Sequence, residues 1–414
     1  MKGMGISLKF VELSEKEFEA FASNHPLRTF MQTKEIAELR KLNGYDVYYV
    51  GVKKDKKILC ATMMSSIKSY FGFRKFYSPR GFLIDYNDTE LLSFFTHEIK
   101  KYIKKKKGYI LRIDPYLMYH ERDINGDIVE GGINNEKAVS TLLNLGFKKV
   151  PENHFEQVSW MFALDVKGKT IDEIFSNMKQ NTRNIIRNLE KEKITIRELS
   201  YDELPIFMDV MESTAKRRTF VNRDLGYYQK MYNIFKDKVK YLVSELDLKE
   251  YIKNLNEEIK LKEERLNNLK DIKSNAGKKK ELIVDIESKK KKKEEAILLQ
   301  KEEGNKIILS ASMFILTKPE VIYLFSGNYK KYMNFKSQYL IQWHMIKYAI
   351  ENGYDRYNFY GIPANINTKP ENYDLYTFKK GFDGYVIELI GEYALPINNI
   401  YYIIELIKKI RGNI

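Results

Sequence analysis

The sequence predicts an α/β (α+β) protein made of two units with the same layout, with an antiparallel helical hairpin inserted into the second unit. Three observations predict this fold. Short apolar strands alternate with helical segments over the first third of the chain, and the same order recurs beyond about residue 158. Residues 248–303 differ from both, because they are highly charged and carry apolar residues at heptad spacing. The 414 residues are enough for two domains, and a hydrophobic content of 43% is typical of globular proteins.

The first unit is predicted to span residues 1–150. Strands are expected at residues 45–52, 57–64 and 108–114, and helices at residues 91–105 and 138–145. Gly146 directly follows the second helix, where a glycine favours helix termination. The resulting order β-β-α-β-α is that of an α/β sandwich.

The second unit is predicted to comprise residues 151–247 and 304–395, followed by a C-terminal helix at residues 396–414. Its strands are expected at residues 158–166, 194–199, 238–245, 306–316 and 356–360, and its helices at residues 170–192, 203–216 and 339–351. No residue-level repeat is obvious, so the tandem arrangement depends on the matching order of elements.

The insertion at residues 248–303 has the pattern of two helices that pack against each other. The first seam has a 3-4 spacing, with Lys262 at one position where an apolar residue is expected; its apolar members are Ile252, Leu255, Ile259, Leu266 and Leu269. A turn is predicted at residues 274–277, and Leu282, Ile286 and Ile297 begin a weaker return seam. Each arm would reach roughly 35–40 Å at about 1.5 Å per residue. The lysine run at residues 289–293 is either a solvated helix face or a contact for RNA or another subunit.

Composition excludes several classes of protein. The only cysteine, Cys60, lies in an apolar run and is expected in the core, so a disulfide-stabilised secreted protein is excluded and a reducing compartment is predicted. The N-terminus lacks the layout of a signal peptide, and no stretch approaches 18 uncharged apolar residues. A cytoplasmic protein is therefore expected. The five histidines show no ligand spacing, so no metal site is predicted.

The net charge of +15, from 71 Lys and Arg against 56 Asp and Glu, favours an anionic partner. Nucleic acid, a phosphorylated small molecule and an acidic membrane surface all fit this charge, which does not choose among them. Several basic residues between positions 177 and 193 share one helix face, which suits either an RNA backbone or solvent.

Five short segments, in the same order along the chain, resemble the Fem (FemABX) family of non-ribosomal peptidoglycan peptidyltransferases. They are Phe30-Met31-Gln32-Thr33 followed by Arg40, the segment around Pro79-Arg80-Gly81, Ile113-Asp114-Pro115-Tyr116, Asn358-Phe359-Tyr360-Gly361, and Phe378-Lys379-Lys380-Gly381-Phe382. The resemblance covers nearly the whole chain and includes the inserted hairpin. Ile36 departs from it, because many members carry Trp at this position.

The resemblance implies two tandem GNAT-like domains and a tRNA-dependent aminoacyltransferase of cell-wall biogenesis. Family members attach Gly, Ala or Ser from aminoacyl-tRNA to the stem or bridge peptide of a peptidoglycan precursor, which builds the interpeptide bridge. The form that carries the hairpin is generally associated with lipid-linked substrate at the inner membrane face, so peripheral membrane contact is expected. The resemblance also implies no cofactor besides the aminoacyl-tRNA co-substrate, and association with itself or with related transferases.

The resemblance places Lys379 of the Phe378-Lys379 pair near the reacting ester and the tRNA end. Aminolysis of an ester is downhill, so the enzyme mainly has to position the reactants and stabilise the oxyanion, which a lysine can do. The alternative is an ordinary basic turn before Gly381, and Lys380 is the next candidate. Asp114 is a candidate for accepting a proton from the attacking ammonium, although capping a turn before proline is favoured.

For the diphosphate of the precursor, the resemblance implies Arg40, Arg223 and Tyr227, with Tyr323 closing the same pocket. Arginine offers a forked donor set suited to phosphate oxygens. The alternative for each is a surface arginine or a core tyrosine, and Arg217 and Arg218 remain open as substitutes.

Two other functions compete with this prediction. A CoA-dependent GNAT N-acyltransferase would have a related fold, but the pyrophosphate-binding loop typical of that chemistry is not found in the sequence. A non-catalytic RNA-binding or scaffolding protein that uses the basic hairpin would have no preformed pocket for an anionic small molecule.

Overall fold

Two mixed β-sheets organise the chain. The computed structural model describes residues 8–270, 272–364 and 370–410. In chain order, the part up to residue 149 contains β1 (Lys9–Glu12), α1 (Glu15–Ala22), α2 (Lys34–Leu42), β2 (Asp46–Lys54), β3 (Lys57–Lys68), β4 (Arg74–Ser78), α3 (Thr89–Lys105), β5 (Gly108–Ile113), β6 (Met118–Glu121), α4 (Glu136–Asn144) and β7 (Lys148–Lys149).

The remainder of the chain supplies most of the second sheet and the hairpin. Its elements are β8 (Trp160–Asp165), α5 (Ile171–Asn177), α6 (Gln180–Lys191), β9 (Thr195–Glu198), α7 (Leu204–Arg218), α8 (Leu225–Phe235), β10 (Val239–Asp247), α9 (Leu248–Asn268), α10 (Ala276–Glu303), β11 (Lys306–Thr317), β12 (Glu320–Asn328), α11 (Gln338–Glu351), β13 (Arg356–Gly361), α12 (Pro370–Lys380), β14 (Tyr385–Leu389), β15 (Tyr393–Pro396) and α13 (Ile400–Ile410).

The two sheets share the same order of strands and helices, which confirms the prediction of two tandem α/β units. The first sheet has the order β1-β2-β3-β4-β5-β15-β7 and the second β9-β10-β11-β12-β13-β8-β14-β6. In each, four antiparallel strands are followed by a helix, α3 or α11, and then by a parallel fifth strand. The repeat therefore lies in the order and direction of the strands rather than in matching residues.

The sheets exchange strands across the predicted boundary at residue 150. Strand β6 pairs with β14 at the edge of the second sheet, and β15 inserts between β5 and β7 of the first. A cut of the chain at residue 150 or 395 therefore does not separate the two sheets, and the domain boundaries in sequence stay a prediction.

The prediction of a single long helix at residues 170–192 is wrong, because the chain forms two helices there, α5 and α6. Met178 and Lys179 adopt extended ψ angles of 151° and 141°. The Met178 side chain is buried, and the Lys179 N–H donates to the Gly381 carbonyl at 3.0 Å. Tertiary contacts thus override the helical propensity of this segment.

Helices α9 and α10 form the predicted hairpin. Leu255, Ile259 and Ile286 are buried along the seam, and Lys262 pairs with Asp285. The lysine run also pairs with α9, since Lys289 contacts Glu258 and Lys290 contacts Glu263. The connection between the helices lies slightly earlier than the predicted turn at residues 274–277, because α9 ends at Asn268 and α10 begins at Ala276.

A hydrophobic cluster joins the two units on one side of the sheets. It contains side chains of the first unit and of α7 and α8, among them Met31, Leu39, Phe207, Met211 and Tyr228. This packing fixes α2 opposite α8 and creates a cleft between them. Across the described residues, no helix is both long enough and apolar enough to span a bilayer.

Candidate functional site

A cleft of about 700 Å³ lies between the two units. One wall comes from α2 and the segment before it, and the other from α8 and the segment before it. Arg40 lines the first wall, Arg223 and Tyr227 line the second, and Tyr360 at the end of β13 also borders the space. Three residues predicted from sequence to bind the diphosphate are therefore brought together in one cavity.

Arg40 lies in the last turn of α2 and is held by two aromatic rings from outside that helix. Its guanidinium carbon lies 5.2 Å from the ring centre of Tyr45 and 5.5 Å from that of Tyr77. Cation–π contacts of this kind orient the planar fork without occupying its N–H donors. The donors therefore remain able to meet an anion in the cleft.

Arg223 is positioned by the start of α8. Asp224 caps this helix, with its Oδ1 accepting the Tyr227 N–H at 2.7 Å, and the Arg223 guanidinium carbon lies 5.3 Å from the Tyr227 ring centre. Tyr228 donates its hydroxyl to Asn222 Oδ1 at 2.7 Å, which anchors the preceding loop. Arg223 is exposed, so its charge faces open space at the cleft.

Tyr323 does not line this cleft. Its ring is buried and stacks on Phe314 with centroids 5.5 Å apart, and its hydroxyl lies 3.4 Å from Gln338 Oε1. Burial raises the pKa of Tyr323 to about 12. The structure places this ring beside Lys379, whose Nζ lies 6.0 Å from the ring centre.

Lys379 lies in the last turn of α12 rather than in an open turn, and it is almost fully buried. Its Nζ donates to the carbonyls of Phe359 at 2.7 Å and Gly361 at 2.6 Å, and lies 3.4 Å from that of Tyr360. Burial lowers the pKa of Lys379 to about 7. The three carbonyl oxygens favour the ammonium, because a neutral amine would turn its lone pair toward one of them.

The residues on either side of Lys379, Phe378 and Lys380, are less buried than Lys379 and make different contacts. Phe378 is half-buried, with its ring edge-on to that of Tyr339 at 4.8 Å. Lys380 points elsewhere and donates to Asn125 Oδ1 at 2.5 Å.

Asp114 is buried in an ion pair with Arg80 and does not line the cleft. Its Oδ1 accepts the Arg80 N–H at 2.8 Å, and its Oδ2 lies 3.4 Å from the Arg80 guanidinium. Burial raises the pKa of Asp114 to about 6, and Arg80 opposes this shift. Arg80 also donates to the Val158 carbonyl at 2.6 Å, so the pair ties the first unit to the start of the second.

Comparison with known proteins assigns the family. A model of the FemAB family matches residues 13–409. An aminoacyltransferase FemA from Staphylococcus aureus (strain bovine RF122 / ET3-1) is 35% identical over 420 residues, which covers 98% of this chain and 100% of the relative. The chain belongs to the FemAB family. FemA of Staphylococcus aureus strain N315 has the same identity and coverage, and these relatives together with the family support a transferase enzyme.

The fold agrees with that of a solved structure. A crystal structure of FemX aligns with a TM-score of 0.74 and 24% identity, over 96% of this chain and 99% of that chain.

Several segments that indicated the FemAB family are explained by buried contacts. Gly81 leaves no room for a side chain, since an added Cβ would lie 2.0 Å from Ser78 Oγ and 2.6 Å from Thr62 Oγ1. The Asp-Pro-Tyr and Asn-Phe-Tyr-Gly segments meet each other. The Tyr116 hydroxyl donates to Glu320 at 2.9 Å, and Asn358 Nδ2 donates to Tyr116 at 3.1 Å. Tyr116 and Asn358 therefore join the two units rather than face the cleft.

Sequence reasoning missed two residues of the cleft in this FemAB chain, Tyr360 and Glu156. Tyr360 has a left-handed φ of 61° at a bulge of β13, and its hydroxyl donates to Gln157 Oε1 at 3.1 Å. It lies within a quoted motif, which was the available signal. Glu156 is exposed. Partial desolvation raises the pKa of its carboxyl, but contacts with Lys75 and Arg112 outweigh this and hold that pKa below the usual range.

No group of three or more metal-ligating side chains comes together within residues 8–270, 272–364 and 370–410.

Proposed function

We propose that this FemAB chain transfers an amino acid of the Gly, Ala or Ser class from aminoacyl-tRNA to the stem or bridge peptide of a lipid-linked peptidoglycan precursor. The observation that carries the proposal is the cleft between the units, where Arg40 and Arg223 approach from opposite walls. Two forked cations and a tyrosine suit the diphosphate of such a precursor. The relatives named aminoacyltransferase FemA supply the reaction class.

In the proposed acceptor complex, the diphosphate lies between Arg40 and Arg223. Cation–π contacts orient Arg40, and the capped start of α8 orients Arg223, so little ordering is needed on binding. The attached peptide would extend along the cleft toward Tyr360. Tyr323 joins the proposal as a buried support near Lys379 rather than as a cleft wall.

The proposed chemical step is aminolysis. The acceptor amine attacks the ester carbonyl, a C–N bond forms, and the C–O bond to the tRNA ribose breaks, with one proton passing from the nitrogen to the leaving hydroxyl. Lys379 contributes a fixed positive charge at the end of β13 that favours the oxyanion or the terminal phosphate of the tRNA. Since Asp114 already neutralises Arg80, we assign it to structure, with proton acceptance as the alternative.

Charged tRNA is a cytoplasmic substrate, so the proposed reaction takes place in the cytoplasm, at the inner face of the membrane when the acceptor is lipid-linked. No cofactor besides the aminoacyl-tRNA is needed for ester aminolysis. Self-association, or association with related transferases, belongs to the same proposal.

The experiment that tests the proposal offers purified protein a panel of charged tRNAs with a lipid-linked precursor and reads the mass of the product. We expect a gain of one amino acid residue with one class of charged tRNA. A gain of an acyl group from acyl-CoA instead would support the rival N-acyltransferase. If the protein binds RNA but adds no residue to the precursor with any of the charged tRNAs, the result would support the rival function of a non-catalytic RNA-binding or scaffolding protein.

A further inference from the structure

The C-terminal helix α13 is apolar on both of its faces. Tyr401 and Ile404 are buried against the first unit, where they pack with Tyr109 and Ile110 of β5. The opposite face exposes Tyr402 (53%), Ile403 (50%), Leu406 (59%) and Ile410 (77%). A surface helix of a globular protein normally places polar residues on its outer face, so this strip requires an explanation.

A fifth exposed apolar side chain belongs to a turn that packs on the same cluster as α13. Phe71, at the tip of the turn between β3 and β4, is 66% exposed, and its neighbour Tyr70 packs on the cluster that holds Tyr401. The exposed apolar side chains therefore come from two separate segments of the chain, α13 and the turn between β3 and β4.

Basic residues adjoin this surface, and two of them, Lys75 and Arg112, are paired with Glu156 and Glu392. Beside α13 lies a recess of about 360 Å³, lined by one carboxylate, Glu405, and five cations, namely Lys75, Arg112, Lys148, Lys149 and Lys408. Glu405 is paired with Lys408 at 2.6 Å. The ammonium of Lys148 lies 4.5 Å from the ring centre of Tyr402, so positive charge directly adjoins the apolar strip.

We propose that α13, with Phe71 and the adjoining lysines, docks the protein on the surface of an anionic phospholipid bilayer. An exposed apolar strip bordered by lysines has the two features of an interfacial helix, an acyl-chain contact and an attraction for phosphate headgroups. An 11-residue helix has a length of about 16 Å and a width of about 10 Å, hence a footprint of roughly 160 Å². A stable protein interface needs about 800 Å² per partner, so a membrane fits this small strip better than a second copy of the chain.

The docked orientation would place the cleft near the bilayer. Lys75 lines the recess beside α13, and its Nζ lies 2.7 Å from Glu156 Oε1, which lines the cleft. Ile67, on the strand that leads to Phe71, lines the cleft as well. Docking itself is independent of the proposed function, but its use in presenting a lipid-linked acceptor rests on that function.

The test measures co-sedimentation of the full chain with vesicles of phosphatidylglycerol and phosphatidylcholine, against vesicles of phosphatidylcholine alone. We expect binding to the anionic vesicles that weakens as salt is raised. Ile403→Ser with Leu406→Ser should reduce the partition coefficient at least about tenfold, because both residues lose acyl-chain contact. Lys148→Gln with Lys149→Gln should remove most of the salt-dependent part of the binding to anionic vesicles.

A matched control is available on the hairpin. Ile283 (43%) and Leu298 (58%) are exposed to a similar extent as Ile403 and Leu406. Ile283→Ser with Leu298→Ser should leave vesicle binding unchanged. Equal binding by the α13 variant and this control would overturn the proposal. So would a change from dimer to monomer caused by the α13 substitutions without loss of vesicle binding, since the strip would then be an interface between copies.

Transfer assays separate this proposal from the proposed function. The α13 variant should modify a water-soluble, nucleotide-linked acceptor at the normal rate and a vesicle-embedded acceptor more slowly. Absence of transfer by the unmodified protein to either acceptor would refute the proposed function, while vesicle binding would still decide the docking surface.

Discussion

Tyr360 connects the two groups of predicted site residues. Its side chain lines the cleft that holds Arg40 and Arg223, and its backbone carbonyl faces the Lys379 ammonium. The left-handed φ of 61° is uncommon for a residue with a side chain and is held by Asn358, whose Oδ1 accepts the Tyr360 N–H at 2.8 Å. Uncommon backbone conformations persist where surrounding contacts determine them, often at functional sites.

Lys379→Ala should lower single-turnover transfer by about a hundred- to a thousandfold. The substitution removes the proposed fixed positive charge, and loss of one preorganised electrostatic contribution to an oxyanion costs on the order of 3–4 kcal/mol. Lys379→Arg should restore part of the rate, because a planar fork does not replace a compact ammonium. Lys380→Ala, with its side chain directed to Asn125, is the matched control and should be mild.

The measurement is transfer from charged tRNA at saturating acceptor, accompanied by thermal unfolding of each variant. Unfolding matters because Lys379→Ala leaves the carbonyls of residues 359–361 without their donor. Normal transfer by a folded Lys379→Ala variant would move the catalytic role to another residue, with Lys380 and Asp114 tested next.

The pH dependence of the same rate distinguishes two roles of Lys379. Burial lowers the pKa of Lys379 to about 7. If the ammonium is the active form, the rate should fall as pH rises through about 7, and Lys379→Arg should lack this fall because arginine stays charged. A rate that rises through the same window only when Lys379 is present would instead indicate a general base.

Asp114→Ala should reduce stability far more than turnover. The substitution leaves the buried Arg80 backbone N–H and guanidinium without their acceptor, and a buried donor without a partner costs about 1–3 kcal/mol of unfolding free energy. Since burial raises the pKa of Asp114 to about 6, the folded state binds a proton more tightly than the unfolded state between about pH 4 and pH 6. This carboxyl therefore makes stability fall as pH rises through that window, and the variant should lack its contribution.

Urea unfolding at several pH values measures both effects. A variant of Asp114 with normal stability and severely reduced turnover would contradict the structural assignment and support proton acceptance.

At the level of elements, the hairpin divides into a base and an arm. Tyr251 and Leu255 near the base are buried with Leu246 and Ala296, whereas the arm beyond them packs mainly on itself. The heptad pattern predicted this arm because its seam is local in sequence. The break between α5 and α6 could not be predicted in the same way, because it depends on Gly381, about 200 residues away.

Replacement of residues 259–292 by a short Gly/Ser turn should leave both units folded, with the affinity for a nucleotide-linked acceptor changed less than about twofold. The cut removes the self-paired arm and retains the buried base. Calorimetric titration of the acceptor measures the affinity. Loss of acceptor binding by a folded truncated protein would refute the prediction that the arm serves only recognition of RNA or assembly with another subunit. A raised KM for charged tRNA alone would assign the lysine run to RNA.

At the level of the whole molecule, the two units are linked by exchanged strands and shared buried groups. Strand β15 of the first sheet pairs with β5, which lies about 280 residues earlier in the chain, and β6 pairs with β14. Short strands with distant partners carry no local signal of where they pair, so the sequence predicted two units but not their exchange. The site could not be predicted as a whole for the same reason. The resemblance to the family indicated Arg40 and Arg223 separately, and only the fold shows that they face one cleft.

The most direct test of the central claim, that this cleft holds the acceptor, measures acceptor affinity for Arg40→Ala and Arg223→Ala. The two arginines come from different units, so both variants should weaken binding of a diphosphate-bearing precursor by about ten- to a hundredfold, or roughly 1.5–3 kcal/mol each. Binding of the same peptide without the diphosphate should be nearly unaffected. An effect of only one arginine, or equal losses on both acceptors, would contradict the claim that the cleft binds the precursor through its diphosphate.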